Sequence, residues 1–156
     1  KLEPIFIKGI GETSSHSSIN YMEDMSVLEV AKRSSMDAYS MAKIHSNEID
    51  FAMIYDSFTY TVLATLESLG FCGPGEAPDF VANQRTAPGG DFAMNTSGGG
   101  LSYTHSGMYG MFLVLEGVRQ LRGECGDRQL DDPKLCLVNG TGGQLSSTGT
   151  AILAVD

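Results

Sequence analysis

Phe51-Ala52-Met53-Ile54-Tyr55, with the segment Ser57 to Leu69 that follows it, decides the fold class. Apolar residues without polar alternation match a strand covered on both faces. Ser57 to Leu69 then reads as a helix, closed by Gly70 where a left-handed cap favours glycine. A buried strand feeding straight into a helix is the unit of a layered α/β domain.

The flanking sequence extends that rhythm. Upstream, Pro4-Ile5-Phe6-Ile7-Lys8-Gly9-Ile10-Gly11 reads as a strand running into a loop. Ser26 is a plausible N-cap for a helix reaching about Ile44, with Val27, Val30, Ala31, Ser34, Ala38, Met41 and Ala42 on one face. Downstream, Phe71 to Gly90 is rich in Pro and Gly and predicts an excursion, and Asp91 to Asn95 predicts another short strand. Gly107 to Leu121 is apolar nearly all round, as in a helix sandwiched inside a protein. After a polar loop, Leu135 to Val138 and Ser147 to Val155 form a hairpin through the glycine turn Asn139-Gly140-Thr141-Gly142-Gly143. The expected architecture is one domain over residues 1–156, an α/β layered fold whose five-stranded mixed sheet carries helices on both faces. A domain that opens on a strand so near its first residue carries the expectation of a preceding segment.

Composition narrows the function classes. With 156 residues and 42 % hydrophobic content, the chain can bury one sizeable core. A net charge of −9 repels nucleic-acid phosphates and anionic lipid, so neither nucleic acid nor a bare membrane is an expected partner. No apolar run approaches the roughly 20 residues of a membrane helix and no secretory signal is apparent, which reads as a cytoplasmic protein. Cys72, Cys125 and Cys136 lack metal-site spacing and read as small buried hydrophobes, so no metal is expected. Nineteen glycines, concentrated at 89–90, 98–100, 107–110 and 140–143 where ten of them fall, point to a site built from tight loops.

Three segments carry a family stamp: Tyr55-Asp56-Ser57-Phe58, Asn95-Thr96-Ser97-Gly98-Gly99 through His105, and Asn139-Gly140-Thr141-Gly142-Gly143. With Glu116-Gly117-Val118-Arg119-Gln120-Leu121-Arg122-Gly123 and Gly126-Asp127-Arg128-Gln129, they make the whole chain resemble the C-terminal half of the thiolase superfamily. The nearest branch is that of the sterol-carrier-protein thiolases and lipid-transfer proteins. The resemblance implies a second, N-terminal half that carries the nucleophilic cysteine and packs about a pseudo-twofold. It also implies that the apolar helix at 107–121 lies interior to the complete enzyme. Left uncovered, apolar area of that size drives self-association.

By position in the motifs, His105 corresponds to the family's oxyanion-hole histidine, although Thr104 and Ser106 replace its flanking glycine and proline. Ser57 stands where the branch places an acid/base cysteine, and Asn139 where ordinary thiolases place theirs. Neither a hydroxyl nor an amide titrates near neutrality as a thiol with pKa about 8.5 does, so ordinary thiolysis is disfavoured. Tyr55 and Tyr103 occupy the vacated ground, and a phenol both donates and accepts hydrogen bonds. That replacement is similar to the steroid side-chain-cleaving aldolases of the superfamily, which split a β-hydroxyacyl-CoA by a retro-aldol step. The expected catalytic residues are Tyr55, Tyr103 and His105; Ser57, Asn95, Gly98, Gly99, Asn139, Gly140 and His16 are expected at the substrate.

Two alternatives accompany this reading: an acetyl-CoA acetyltransferase whose cysteine lies in the other half, and a non-catalytic acyl-CoA-binding subunit. The implied partners are an acyl-CoA substrate, the N-terminal thiolase half, a second copy in a homodimer, and a zinc-ribbon/OB-fold protein. No cofactor is implied beyond the coenzyme A carried by the substrate.

Overall fold

The computed structural model describes residues 3–156, so Lys1 and Leu2 of the expected 1–156 domain lie outside the described residues. Its elements are β1 (Phe6–Ser14), α1 (Glu29–Ala42), β2 (Phe51–Ile54), α2 (Thr59–Ser68), α3 (Ala77–Val81), α4 (Gly99–Ser102), α5 (Gly110–Leu121), β3 (Leu135–Gly142) and β4 (Ser147–Ala154). The sheet order is β1-β4-β3-β2, with β2 parallel to β3 and the other pairs antiparallel.

All four residues of β2 are fully buried, and their alternation explains why no polar residue interrupts them. Ala52 and Ile54 join Leu137 and Ile152 against Leu28, Ala31 and Ala38, on the α1 side. Phe51 and Met53 join Cys136, Val138 and Leu153 against Leu113 and Leu121 of α5. Successive side chains thus meet opposite layers, both of them apolar. On the α1 side the close approach depends on glycine. A β-carbon on Gly9 or Gly11 would stand 2.1 Å from the Ala38 or Ser34 carbonyl oxygen, so the α1 backbone lies directly on β1.

The sheet has four strands rather than the expected five. Met94 makes only an isolated parallel bridge with Ala52, and Asp91–Asn95 forms no strand. Asn95 has φ of +49°, which turns the chain out of the sheet, and its side chain takes over the pairing. The Asn95 Oδ1 accepts from the Ile54 N–H and its Nδ2 donates to the Ile54 carbonyl, both at 2.8 Å. The free edge of β2 is therefore satisfied without a further strand.

The hairpin and the last helix also differ from expectation. Asn139 to Gly142 belong to β3, where Asn139 pairs with Thr150 and Gly140 with Gly149, and the chain reverses after them. Helix α5 is not sandwiched: it buries Leu113, Glu116, Gly117, Gln120 and Leu121, while Met111, Phe112 and Leu115 are each more than half exposed. It covers one face of the sheet and has nothing on its outer side among the described residues. No helix among them is long and apolar enough to cross a membrane.

Within the buried side of α5, Glu116 holds the C-terminal loops together. Its carboxylate accepts from Arg128 at 2.8 and 3.0 Å and from the Thr96 hydroxyl at 2.8 Å. Burial alone pushes the Glu116 carboxyl up, but the bonds from Arg128, Thr96 and Gln120 outweigh it and hold the carboxyl below its ordinary value of 4.5. Because the folded pKa is depressed, this stabilisation is complete above the unfolded value and is lost as pH falls through the folded one.

Two stability outcomes follow from these contacts. Gly11→Ala is expected to lower unfolding free energy by about 1–3 kcal/mol, since the added methyl meets backbone; an unchanged urea midpoint contradicts the close β1–α1 contact. The urea midpoint is also expected to fall as pH drops from about 6 to about 3, and to fall less in Glu116→Gln, which at neutral pH is itself about 1–3 kcal/mol less stable.

Candidate active site

In open α/β sheets, ligand sites form beyond the carboxyl ends of strands, where loops diverge. The end of β2 is such a place. Tyr55 N–H still donates to the Asn139 carbonyl at 2.9 Å, carrying the strand direction one residue past Ile54. Asp56 then turns inward and is 4 % exposed. Its carboxylate accepts the N–H of Gly100 at 2.7 Å and of Leu101 at 3.0 Å, drawing the glycine loop onto the strand end. Gly99 has φ of +71°, and a β-carbon there would stand 2.3 Å from Asp56 Oδ2. One on Gly100 would meet both Asp56 Oδ1 at 3.1 Å and His105 Nδ1 at 3.2 Å. Only glycine lets the carboxylate, the loop and the imidazole come this close.

The result is a cleft of about 1290 Å³ whose lining includes Tyr55, Ser57, His105, Ser106, Tyr109 and Gly140. The rings of Tyr55 and His105 meet edge to face, with centroids 6.1 Å apart. On its other side Tyr55 stacks on Tyr109 at 5.3 Å. Burial raises the Tyr109 phenol above its ordinary pKa, and the Asp56 carboxylate adds to that, so the ring stays neutral. Ser57 Oγ is bonded to Thr61 Oγ1 at 2.9 Å, and Ser106 Oγ is buried without a partner among the described residues. Met25, Phe58, Leu101 and Met108 line the same cleft and are more than half exposed, giving it an apolar rim.

Of the residues expected from the sequence, the structure gathers Tyr55, Ser57, His105 and Gly140 in this cleft. Tyr103 is 72 % exposed and outside the lining. The Asn95 side chain is committed to Ile54, so it supports the loop rather than facing the cleft. Gly98 and Gly99 contribute backbone to the turn into α4. The Asn139 side chain is fully buried and donates to Thr150 Oγ1 at 2.8 Å, which in turn bonds Ser34 of α1. It therefore lies on the α1 side of the sheet. His16 is held by Ser15 Oγ and the Gln144 carbonyl and borders a separate cleft with Thr13 and Arg33.

No thiol reaches the cleft. Cys125 and Cys136 are buried and Cys72 is half-buried, and burial raises the pKa of all three, that of Cys72 to about 11. Among the described residues, no group of three or more His, Cys, Asp or Glu is placed to hold a metal ion. Asp56, to which the sequence assigned no role, proves central to the geometry, and Tyr109 packs against the Tyr55 ring. The available signal for Asp56 was its place between two cleft residues in Tyr55-Asp56-Ser57.

Residues 11–155 match the family described as "Thiolase C-terminal domain-like". An acetyl-CoA acetyltransferase of Methanothermobacter thermautotrophicus is 28 % identical over 97 % of this chain and 39 % of its own length. A steroid side-chain-cleaving aldolase of Thermomonospora curvata is 38 % identical over 67 % of this chain and 26 % of its own. Among solved structures, the Ltp2-ChsH2(DUF35) aldolase superposes with a TM-score of 0.86 at 31 % identity, covering 100 % of this chain and 41 % of that one. The chain thus spans less than half the length of each of these relatives. With its sheet, its cleft and a family match over nearly its whole length, the chain belongs to the thiolase C-terminal domain-like family.

Proposed function

We propose that this chain is the C-terminal half of an acyl-CoA enzyme that makes or breaks a carbon–carbon bond beside a thioester, and that its reaction is retro-aldol cleavage of a β-hydroxyacyl-CoA. One observation carries the proposal: the cleft pairs a phenol with an imidazole and contains no thiol. Retro-aldol cleavage needs a group to take the β-hydroxyl proton and a donor for the enolate oxygen, and forms no acyl-enzyme. Tyr55 handles the proton: its phenol oxygen takes the β-hydroxyl proton as it gives up its own, and the proton given up is the one that ends at Cα. The Cα–Cβ bonding pair moves into the thioester, and His105 donates a hydrogen bond to the enolate oxygen. Reprotonation at Cα gives the shortened acyl-CoA, and the β-carbon leaves as a ketone or aldehyde. The step is redox-neutral and uses no cofactor beyond the coenzyme A of the substrate. Tyr103, outside the cleft lining, is left out of the proton role.

Further support comes from the names of the relatives, which include a steroid side-chain-cleaving aldolase and a 17-hydroxy-3-oxo-4-pregnene-20-carboxyl-CoA lyase. The apolar rim suits a lipid or steroid side chain. Ser57 and Gly140 border the bound acyl chain in this reading. An N-terminal thiolase half completes the site, in a homodimer assisted by a zinc-ribbon/OB-fold partner. A second reading, acetyl transfer by a cysteine of the other half, is favoured by the acetyltransferase that aligns over 97 % of this chain.

Free coenzyme A separates the two readings, because thiolysis consumes it and retro-aldol cleavage does not. The full-length protein is expected to release a ketone or aldehyde from a β-hydroxyacyl-CoA without added coenzyme A; cleavage of a β-ketoacyl-CoA alone, only when coenzyme A is added and with two acyl-CoA products, supports the transferase. In the same assay Tyr55→Phe is expected to lower kcat about 10²–10⁴-fold, and His105→Ala about 10²–10³-fold. Unaltered turnover in either variant removes that residue from its role.

A further inference from the structure

We propose that Asp56 is the positioning residue of this site: its buried carboxylate clamps the glycine loop so that His105 is held against Tyr55. The inference rests on the retro-aldol reading for its kinetic consequence, though not for its geometry.

Asp56 sits between two cleft residues in sequence yet is absent from the cleft lining and almost fully buried. An isolated carboxylate in that environment is costly unless its oxygens are bonded. Both are, and to the same short segment: Oδ1 accepts from Gly100 N–H and Oδ2 from Leu101 N–H. Charge-assisted bonds of this kind are shorter and stronger than neutral ones. His105 follows Leu101 by four residues, and a β-carbon on Gly100 would stand 3.1 Å from Asp56 Oδ1 and 3.2 Å from the imidazole Nδ1, so carboxylate and ring lie close together about that position. The loop is tied at its other end by Asn95 to Ile54, the residue before Tyr55. Both ties therefore run to β2 and the residues just beyond it, and they hold the segment that leads into His105, whose ring centroid lies 6.1 Å from that of Tyr55. Misplacement of a catalytic group by about 1 Å is enough to cost 10²-fold in rate.

The clamp can be loosened from both partners. Asp56→Asn keeps the volume but presents an amide donor to one of two N–H groups. Gly99→Ala keeps the carboxylate but places a methyl 2.3 Å from its Oδ2. In full-length protein, at a temperature where each variant is folded by circular dichroism, both are expected to lower kcat for C–C cleavage about 10²-fold with KM within about threefold. The double variant is expected to be no worse than the poorer single one, as for two changes in one contact. Crystal structures of the variants are expected to show the His105 ring displaced from Tyr55. A folded Asp56→Asn protein with kcat within about twofold of wild type, or fully additive losses, overturns the proposal. If Asp56→Asn does not fold, Gly99→Ala decides by the same criteria. Should the wild-type protein fail to cleave a β-hydroxyacyl-CoA, the functional reading fails, and the ring displacement alone then decides for or against the clamp.

Discussion

One side-chain amide, that of Asn95, bonds both backbone groups of Ile54 and so ends the sheet where the site begins. A continuing strand at this edge would have carried residues 95–99 along the sheet and away from Tyr55. The amide satisfies the edge of β2 and releases the chain at once into the glycine loop. The groups that give the cleft its chemistry flank that point, Tyr55 and Ser57 just past Ile54 on the strand side and His105 at the far end of the loop.

Apolar burial and polar bonding divide the work. The two cores on either face of the sheet hold β2 rigidly, since each of its residues is fully buried and packed on one layer or the other. Such packing is non-directional and cannot fix a loop to within an ångström. That precision comes from buried polar groups with defined geometry: Asn95 on Ile54, Asp56 on Gly100 and Leu101, and Glu116 on Thr96 and Arg128. Asn95 and Asp56 fasten the segment 95–101 to the end of β2, and Glu116 fastens it to α5.

How much of this was legible in the sequence depends on how local the cause is. The order of strands and helices from β1 to α2 follows from periodicity, but β1 runs through Gly9 and Gly11 to Ser14 rather than closing at glycine, and α1 is capped at Leu28 rather than Ser26. The missing fifth strand was not legible, because Asp91–Asn95 has strand-like residues and its fate turns on a side-chain bond to a residue 41 positions away. Asn139 was read as a turn residue because glycines surround it, and at the substrate because it matches the position of the ordinary thiolases' cysteine. In the structure Gly140 and Gly142 lie inside β3, and strand alternation sends the Asn139 side chain toward Ser34 and Thr150 instead. Tyr103 is near His105 in sequence but not in the cleft lining, since the short α4 turns its side chain to solvent. Asp56 escaped notice for the opposite reason: its importance lies in what the glycines at 99 and 100 allow it to touch.

The most direct measurement is a crystal structure of the full-length protein with a non-cleavable β-hydroxyacyl-CoA analogue. The expected result places the thioester oxygen within hydrogen-bond distance, about 2.7–3.1 Å, of the His105 imidazole and the β-hydroxyl beside the Tyr55 phenol. A thioester bound away from both rings would contradict it.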